Sequence, residues 1–387
     1  MRAWIWMVGV AATMGTGVQA RTVPDPAPVE ARVPWAPTVF TGSDGARHLA
    51  YELHLTNFYG DTGPLSLDDL DVFADGSTQP LLHLDSAGLA AVAKPVPKEG
   101  AAAVVDPGKS GIVYLWLTLP SGTPVPKQLR HHVDMTANGH AYAVDGVEVT
   151  LSPTAAPVIG APLRGGHWLA HEGPGAFRSH HWGSMVAING SLTVPQRYAI
   201  DFVGVDASGR AIKPSVKDLQ ATRYADWIGY GAEVIAVADG VVAGARDGEE
   251  EHAPLKPQPE PASLTTDGLF GNYVVLSIGP RQYAGYAHLA KGSVRVKKGD
   301  HVRRGQVIGR LGQSGNSAAP HLHFQLANAP DFQGSEGIPY VFDRIDLYGE
   351  ESEAQLFGQG DPWKAAPPSH RQAQLPLDGI VVGFPDK

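Results

Sequence analysis

Two histidines stand one residue apart in the stretch APHLHFQLA, residues 319–327. The residues around them favour a β-strand, and a strand sends alternate side chains to the same face, so His321 and His323 point together. Leu322 and Phe324 then point to the opposite face. Two imidazoles on one face suit a metal and proton-transfer site, unless their spacing is accidental.

Two further segments carry residues that suit the same chemistry. Asp201 interrupts the apolar run RYAIDFVGV, and His288 ends the run YAGYAHL shortly before a glycine turn. Each of them alone has an ordinary interpretation, as an edge aspartate or a structural histidine. Because the chain contains no cysteine, histidine and carboxylate are the candidate ligands for a metal ion.

The order of these segments resembles peptidase family M23, the lysostaphin-like zinc metallopeptidases that act on peptidoglycan. The matching pieces are AIDF (199–202), GYGAEVIAVADGVV (229–242), GNYVVL (271–276), YAHL (286–289) and GDHVRRGQVIGRLGQSGNSAAPHLHF (299–324). The resemblance extends over roughly residues 165–345, and its last piece is the most specific.

The resemblance implies one zinc ion per chain, with Asp201 and His323 as ligands. It also implies that His288 and His321 flank the attacking water as general base and transition-state stabilisers. The chemistry of the residues agrees, because zinc binds imidazole nitrogen and carboxylate oxygen and lowers the pKa of a bound water to about 7. A neutral imidazole beside that water can take its proton near neutral pH.

The sequence departs from the family pattern at one ligand position. Family members usually carry a ligand histidine four residues before the aspartate, where this chain has Arg197. Arginine has no lone pair to offer a metal. Upstream, Ser179-His180-His181 resembles an arrangement found in some relatives. We therefore expect one histidine of this pair to be the third ligand, with a slight preference for His181 over His180; otherwise the site has lost its zinc.

Other polar residues have less specific interpretations. A guanidinium binds carboxylates through paired donors, which leads to the hypothesis that Arg197 binds a carboxylate of the substrate; a surface salt bridge is the equally open alternative. His167 and His171 are interpreted as packing or groove residues. His131 and His132 are adjacent, hence on opposite faces of a strand, and are predicted to be ordinary polar residues.

The strands predicted to position these residues form an all-β protein with two domains. Short alternating runs over residues 38–153, separated by Gly, Asp and Pro, are typical of an antiparallel, immunoglobulin-like β-sandwich. A linker at 154–164, rich in Pro, Ala and Gly, leads to an M23-type antiparallel β-sheet domain with an open groove at 165–346. The remaining residues, 347–387, are expected to form a C-terminal tail that wraps the surface.

The N-terminal segment predicts export. In MRAWIWMVGVAATMGTGVQA, Arg2 precedes a short apolar stretch and small residues stand before position 21, which is typical of a secretory signal peptide at residues 1–20. The apolar stretch is shorter than the ~20 residues of a membrane span. A Pro-rich lead follows at 21–37. We expect a periplasmic protein, with secretion as the alternative, and no stable membrane span after signal cleavage.

Charge and resemblance together predict the function. A net charge of -9 argues against nucleic acid as a partner, because the phosphate backbone is bound through excess Lys and Arg. The sequence predicts an exported zinc metallopeptidase that hydrolyses peptide bonds in the stem or cross-link peptides of peptidoglycan. The alternative, motivated by Arg197, is a degenerate M23 domain without zinc that binds peptidoglycan or activates a cell-wall amidase, and it implies a cell-envelope partner protein.

Overall fold

The computed structural model of the chain describes residues 27–258 and 264–385. The predicted signal peptide at 1–20 lies outside the described residues. Within them, the regular secondary structure is mostly β-strand, and nearly all strand pairs are antiparallel, which confirms the all-β prediction. The helices in this part of the chain are all too short or too polar to cross a membrane.

The first structural unit is a sandwich of two five-stranded sheets. One sheet has the order β1-β3-β8-β6 with β2 paired to β3, and the other has the order β10-β9-β4-β5 with β7 paired to β4. The elements are β1 Val29–Arg32, β2 Phe40–Thr41, β3 Arg47–Asn57, β4 Leu65–Ala74, β5 Pro80–Leu84, α1 Ser86–Val92, β6 Ala93–Lys94, β7 Val104–Val105, β8 Ser110–Leu119, β9 Gln128–Ala137 and β10 His140–Thr150. Apolar side chains of both sheets form one core between them. The two layers agree with the predicted sandwich, and its immunoglobulin-like character stays a prediction.

Strand β3 is buried on both of its faces. Its odd-numbered residues, such as Leu49 and Tyr51, pack in the core between the two sheets. Its even-numbered residues face away from that core, and Ala50 joins the hydrophobic core of the second unit. The two units therefore share a buried interface along β3.

The second unit is organised around a ten-stranded sheet with the order β20-β17-β18-β19-β22-β15-β12-β26-β24-β25. Its elements, with those of three small two-stranded sheets, are β11 Val158–Ile159, β12 His167–His171, β13 Val186–Ile188, β14 Ser191–Thr193, β15 Ile200–Val205, β16 Glu233–Ile235, β17 Gly240–Arg246, α2 Thr266–Phe270, β18 Tyr273–Gly279, β19 Gln282–Ala287, β20 His301–Val302, β21 Val307–Arg310, β22 Leu322–Ala327, β23 Val341–Phe342, β24 Ile345–Glu350, α3 Glu353–Leu356, β25 Ser369–Arg371 and β26 Ile380–Gly383. Short 3-10 turns lie at Leu219–Ala221 and Tyr224–Asp226.

Three neighbouring strands of this sheet bring the chemistry-bearing residues together. Strand β22 lies between β19 and β15, and the register places His323 opposite both Asp201 and Ala287. His288 follows Ala287 directly, at the end of β19. Residues separated by more than a hundred positions in the sequence thus become neighbours through strand pairing.

The predicted surface tail at 347–387 is corrected by the structure. The proposed boundary at residue 346 falls inside β24, and β26 is inserted between β12 and β24 within the main sheet. Val381 and Val382 of β26 are fully buried, because the apolar run IVVG completes the core rather than covering the surface. The segment is part of the second unit.

Candidate metal centre

His323 presents one ring nitrogen to Asp201. Its Nδ1 lies 3.0 Å from Oδ1 of Asp201, and its Nε2 lies 2.9 Å from Oε1 of Gln325. In the tautomer that donates from Nε2 to this amide oxygen, the lone pair of Nδ1 points at the carboxylate. Gln325, two residues further along the strand, favours this tautomer of His323.

His181 approaches the same carboxylate oxygen from another segment. Its Nδ1 donates to the backbone carbonyl of Glu172 at 2.8 Å, which leaves the Nε2 lone pair 3.3 Å from Oδ1 of Asp201. The ring is 1% exposed, and burial lowers the pKa of His181 to about 4. The Nε2 atom is buried and has no hydrogen-bond partner among the described residues.

Asp201 is the group on which these nitrogens converge. Burial alone would raise its pKa, but His321 and His181 beside it hold the pKa of this carboxyl well below its usual value, so the group is ionised. With His323 in the tautomer that donates to Gln325, two imidazole lone pairs face one carboxylate oxygen at 3.0 Å and 3.3 Å, and such acceptors repel that oxygen unless a cation lies among them. The donor set of two nitrogens and a carboxylate oxygen is one that zinc takes with a further position open. His181, Asp201 and His323 therefore fit a catalytic zinc ion.

His180 is the weaker ligand candidate of the upstream pair. One ring nitrogen of His180, one of His181 and a carboxylate oxygen of Asp201 lie within 4.8 Å of one another. The His180 side chain is however 63% exposed, and its Nε2 lies 3.7 Å from Oδ2 of Asp201. Its Nδ1 lies 3.4 Å from a carboxylate oxygen of Glu172. The buried and oriented ring of His181 is the better match to a ligand.

His321 and His288 stand beside this group and share one orientation. Nδ1 of His321 donates to the carbonyl of Ala319 at 2.8 Å, and Nδ1 of His288 donates to the carbonyl of Ser314 at 2.8 Å. Both rings thereby present Nε2 to the site; that of His321 lies 3.3 Å from Oδ2 of Asp201. The two ring centroids are 4.8 Å apart. Such a pair of imidazoles can accept and donate a proton at adjacent points.

Two residues at the edge of the site have a left-handed backbone. His288 has φ 59° and Glu172 has φ 54°, a conformation that residues with a Cβ rarely adopt and that costs about 1 kcal/mol or more. The conformation of His288 is held by its own backbone N–H, which donates to the carbonyl of Phe270 at 3.1 Å. Strain of this kind clusters at functional sites.

The imidazoles open into a groove of about 450 Å³. Its walls are largely apolar and include Trp227, Phe270, Leu356 and Phe357, with His171 of β12 at one side. Leu356 and Phe357 lie at the end of α3, in the segment expected to be a surface tail. The groove is large enough for a short peptide segment beside the histidines.

The structure corrects the substrate-binding hypothesis for Arg197. The residue is 3% exposed, and its guanidinium makes ion pairs with Glu52 at 2.7 Å and with Glu336 at 2.9 Å. A third donor bonds the carbonyl of Gly337 at 3.0 Å. A side chain that is enclosed and held by four hydrogen bonds is not accessible to a substrate, and the salt bridge is a buried one rather than the surface pair considered as the alternative.

Sequence reasoning missed several residues that shape the site. Gln325 follows the HLHF motif directly and orients His323, a role that its place on the same strand face could have indicated. Glu172 orients both upstream histidines through its carbonyl and its carboxylate, but nothing in the sequence distinguishes it from other acidic residues. Glu52 lies in the other structural unit, so no local pattern could have connected it to Arg197. His167 packs against Tyr348, with 4.3 Å between ring centroids.

Comparison with known proteins confirms the resemblance drawn from the motifs. The model of Peptidase family M23 matches residues 226–333. That range contains His288, His321 and His323, but it begins after Asp201 and the upstream histidines.

Curated relatives match over short stretches. The chain is 48% identical over 56 residues to the peptidoglycan DD-endopeptidase ShyA of Vibrio cholerae, which covers 14% of this chain and 13% of that protein. It is 58% identical over 79 residues to lysostaphin of Staphylococcus simulans, which covers 20% of this chain and 16% of that protein. The chain thus spans less than a fifth of the length of these relatives.

A solved structure of the catalytic domain of lysostaphin from Staphylococcus simulans overlaps 44% of this chain and 86% of that domain, with 22% identity and a TM-score of 0.23. A zinc-containing peptidase from Vibrio cholerae overlaps 75% of this chain and 81% of its own, with 15% identity and a TM-score of 0.22.

Proposed function

Because residues 226–333 match peptidase family M23, we propose that the chain is an exported zinc metallopeptidase that hydrolyses peptide bonds in peptidoglycan stem or cross-link peptides. The observation that carries the proposal is the convergence of His181, Asp201 and His323 on one point, with His288 and His321 beside it at the base of one groove. A purely structural role explains neither the buried unpartnered nitrogen of His181 nor five histidines at one end of the groove.

In this proposal His181, Asp201 and His323 hold the metal. Zinc bound there supplies an activated water and polarises the scissile carbonyl. The carbonyls of Ser314 and Ala319 fix the rings of His288 and His321, so that one ring accepts a proton from the attacking water at Nε2. The other ring, in its protonated form, donates from Nε2 to the oxygen that gains negative charge. The apolar groove walls hold the peptide and exclude water.

The degenerate alternative loses the feature that motivated it. Arg197 occupies the usual ligand position, but it is engaged with Glu52 and Glu336 rather than filling the site, and His181 supplies a nitrogen from another direction. Zinc-free binding to peptidoglycan or to an amidase remains the alternative, and the zinc content of the protein distinguishes it from the peptidase.

Zinc content tests the metal site. Purified residues 21–387 are expected to contain about one zinc per chain by elemental mass spectrometry. His181→Ala should lose the metal, and His180→Ala, the matched neighbour, should retain most of it. Absence of zinc from the unaltered protein after supplementation would overturn the peptidase proposal in favour of the zinc-free alternative.

Cleavage of purified peptidoglycan, followed by chromatography of the released peptides, tests the reaction. His288→Ala and His321→Ala should each retain zinc while cleavage falls by about 10²- to 10⁴-fold. Zinc-loaded unaltered protein that releases no peptide from peptidoglycan of several cross-link types would refute the substrate class.

The proposal also includes the cellular location of the protein. We place the protein in the periplasm, with secretion as the alternative, on the basis of the signal-like segment at 1–20. Mass spectrometry of the protein from fractionated cells is expected to find a chain that begins at Arg21 in the periplasmic or the medium fraction. An uncleaved chain in the cytoplasmic fraction would contradict export.

A further inference from the structure

Glu52 is a charged residue of the sandwich that reaches into the second unit. It lies on β3 and is 1% exposed. One carboxylate oxygen accepts from Nε1 of Trp182 at 2.6 Å and from Nε of Arg197 at 2.8 Å, and the other accepts from a terminal guanidinium nitrogen at 2.7 Å. A single carboxylate therefore joins two separate segments of the second unit.

Both segments lead directly to the candidate metal centre. Trp182 follows His181 in the chain, and Arg197 precedes Asp201 by four residues at the entry to β15. Glu52 thus bonds to the neighbour of one proposed ligand and to the strand approach of another. The Glu52 carboxylate therefore fixes the distance between these two segments on the side of the site that faces the sandwich.

The sandwich also holds the segment with His181 through other contacts. The indole of Trp182 packs against Tyr114 and Trp116 of β8, with ring centroids 5.5 Å and 6.0 Å apart. Arg178 donates to the carbonyl of Ala91 at 3.1 Å, and Lys94 donates to the carbonyl of Gly183. The segment that contains His181 has little regular structure of its own, since residues 172–185 form only turns. Its conformation therefore depends on the sandwich.

We propose that Glu52 is a positioning residue for the metal centre, and that the N-terminal sandwich forms the rear wall of the site that holds His181 against Asp201. This positioning role rests on the proposed function, in which His181 is a metal ligand. A metal ligand must be held within about half an ångström of its working position, which requires neighbours that fix its segment. A buried ion pair contributes little net stability compared with apolar packing, and fixing a unique arrangement is a role that such pairs can have.

The experiment combines hydrogen exchange with zinc titration of the full-length mature chain. The test variant is Glu52→Gln, which keeps the size of the side chain and an acceptor for Trp182 but removes the charge that binds Arg197. Thr136→Val is the control, because it removes a side-chain bond of the same sandwich, from Oγ1 of Thr136 to a carboxylate oxygen of Asp68 at 2.6 Å, in the sheet that does not carry Glu52.

In metal-free protein, Glu52→Gln is expected to raise amide exchange rates across residues 172–184 by about tenfold or more, with the core strands of both units unchanged. Its zinc affinity should fall by about 10- to 100-fold, the range for residues that orient a ligand. Thr136→Val should change neither. If Glu52→Gln fails to fold, Trp182→Phe removes only the indole donor and should show the same selective loosening.

Unchanged exchange at 172–184, or loosening spread equally through both units, would overturn the positioning role. The exchange measurement needs no metal, so it separates the two proposals. If the unaltered protein binds no zinc, the proposed function fails, while the exchange data still decide whether Glu52 holds the segment.

Discussion

Replacing Arg197 by methionine tests the buried ion-pair network most directly. The guanidinium is enclosed, and it is bonded to two carboxylates and one carbonyl. Methionine fills much of the space but leaves Glu52, which is 1% exposed, without its counter-charge. Removing one partner of a buried pair costs about 3 to 5 kcal/mol of unfolding free energy, because the other charge remains buried and uncompensated.

The measurement is urea denaturation at pH 7, followed by tryptophan fluorescence. Arg32→Met is the control, because Arg32 pairs with Glu30 at 3.8 Å with its side chain 65% exposed, and an exposed pair contributes less than about 1 kcal/mol. The double variant Glu52→Gln with Arg197→Met removes both charges and should recover about 2 kcal/mol or more of the loss. Equal small losses for Arg197→Met and Arg32→Met would refute the reasoning.

Three further predictions concern single groups. Gln325→Leu should reduce zinc affinity by about 10- to 100-fold, since the tautomer of His323 is no longer fixed; competition with a chelator measures this, and unchanged affinity would contradict it. Burial lowers the pKa of His131, so the unfolded chain takes up the proton first and stability falls as the pH drops below about 6.5. In calorimetry, the melting temperature of His131→Gln should fall less steeply with decreasing pH than that of the unaltered protein, and identical slopes would exclude this cause. Burial raises the pKa of Glu351 to about 8, and both of its carboxylate oxygens lack partners among the described residues. The unfolded chain therefore loses this proton first, and the protein loses stability as the pH rises from about 4.5 to 8. The melting temperature of Glu351→Gln should rise relative to that of the unaltered protein over this range and the difference should level off above it, whereas a constant difference would argue against the assignment.

His288, His321 and His323 can be found from the sequence, because their signal is local. Alternation in HLHF places two imidazoles on one face whatever the fold, and His288 stands at a strand end that a turn marks. The register that sets His323 opposite Asp201 is not local, and only the family resemblance connected the two residues.

Other features were decided by contacts that sequence patterns do not encode. The choice between His181 and His180 depends on a backbone carbonyl of Glu172, which any residue type could have offered. For Arg197 the sequence leaves a substrate role and a surface salt bridge equally open, because its partner Glu52 lies in the other unit. The C-terminal residues were taken for a surface tail because Pro and Gln dominate them, while the four residues of β26 are too short a signal to predict a central strand. His131, predicted to be an ordinary polar residue, is fully buried and bonded to Tyr51 at 2.8 Å, a partner that no local pattern indicates.

The insertion of β26 between β12 and β24 has a consequence for the timing of folding. β12 pairs with β15 nearby in the sequence and with β26 near the other end of the described chain. Pairings between distant segments form slowly, because the intervening loop must first be closed. The sheet next to Asp201 therefore stays incomplete until residues 380–383 have been synthesised and have paired. The candidate metal centre lies beside this part of the sheet, so the chain completes the surroundings of the site only when nearly all of its described length is available for folding.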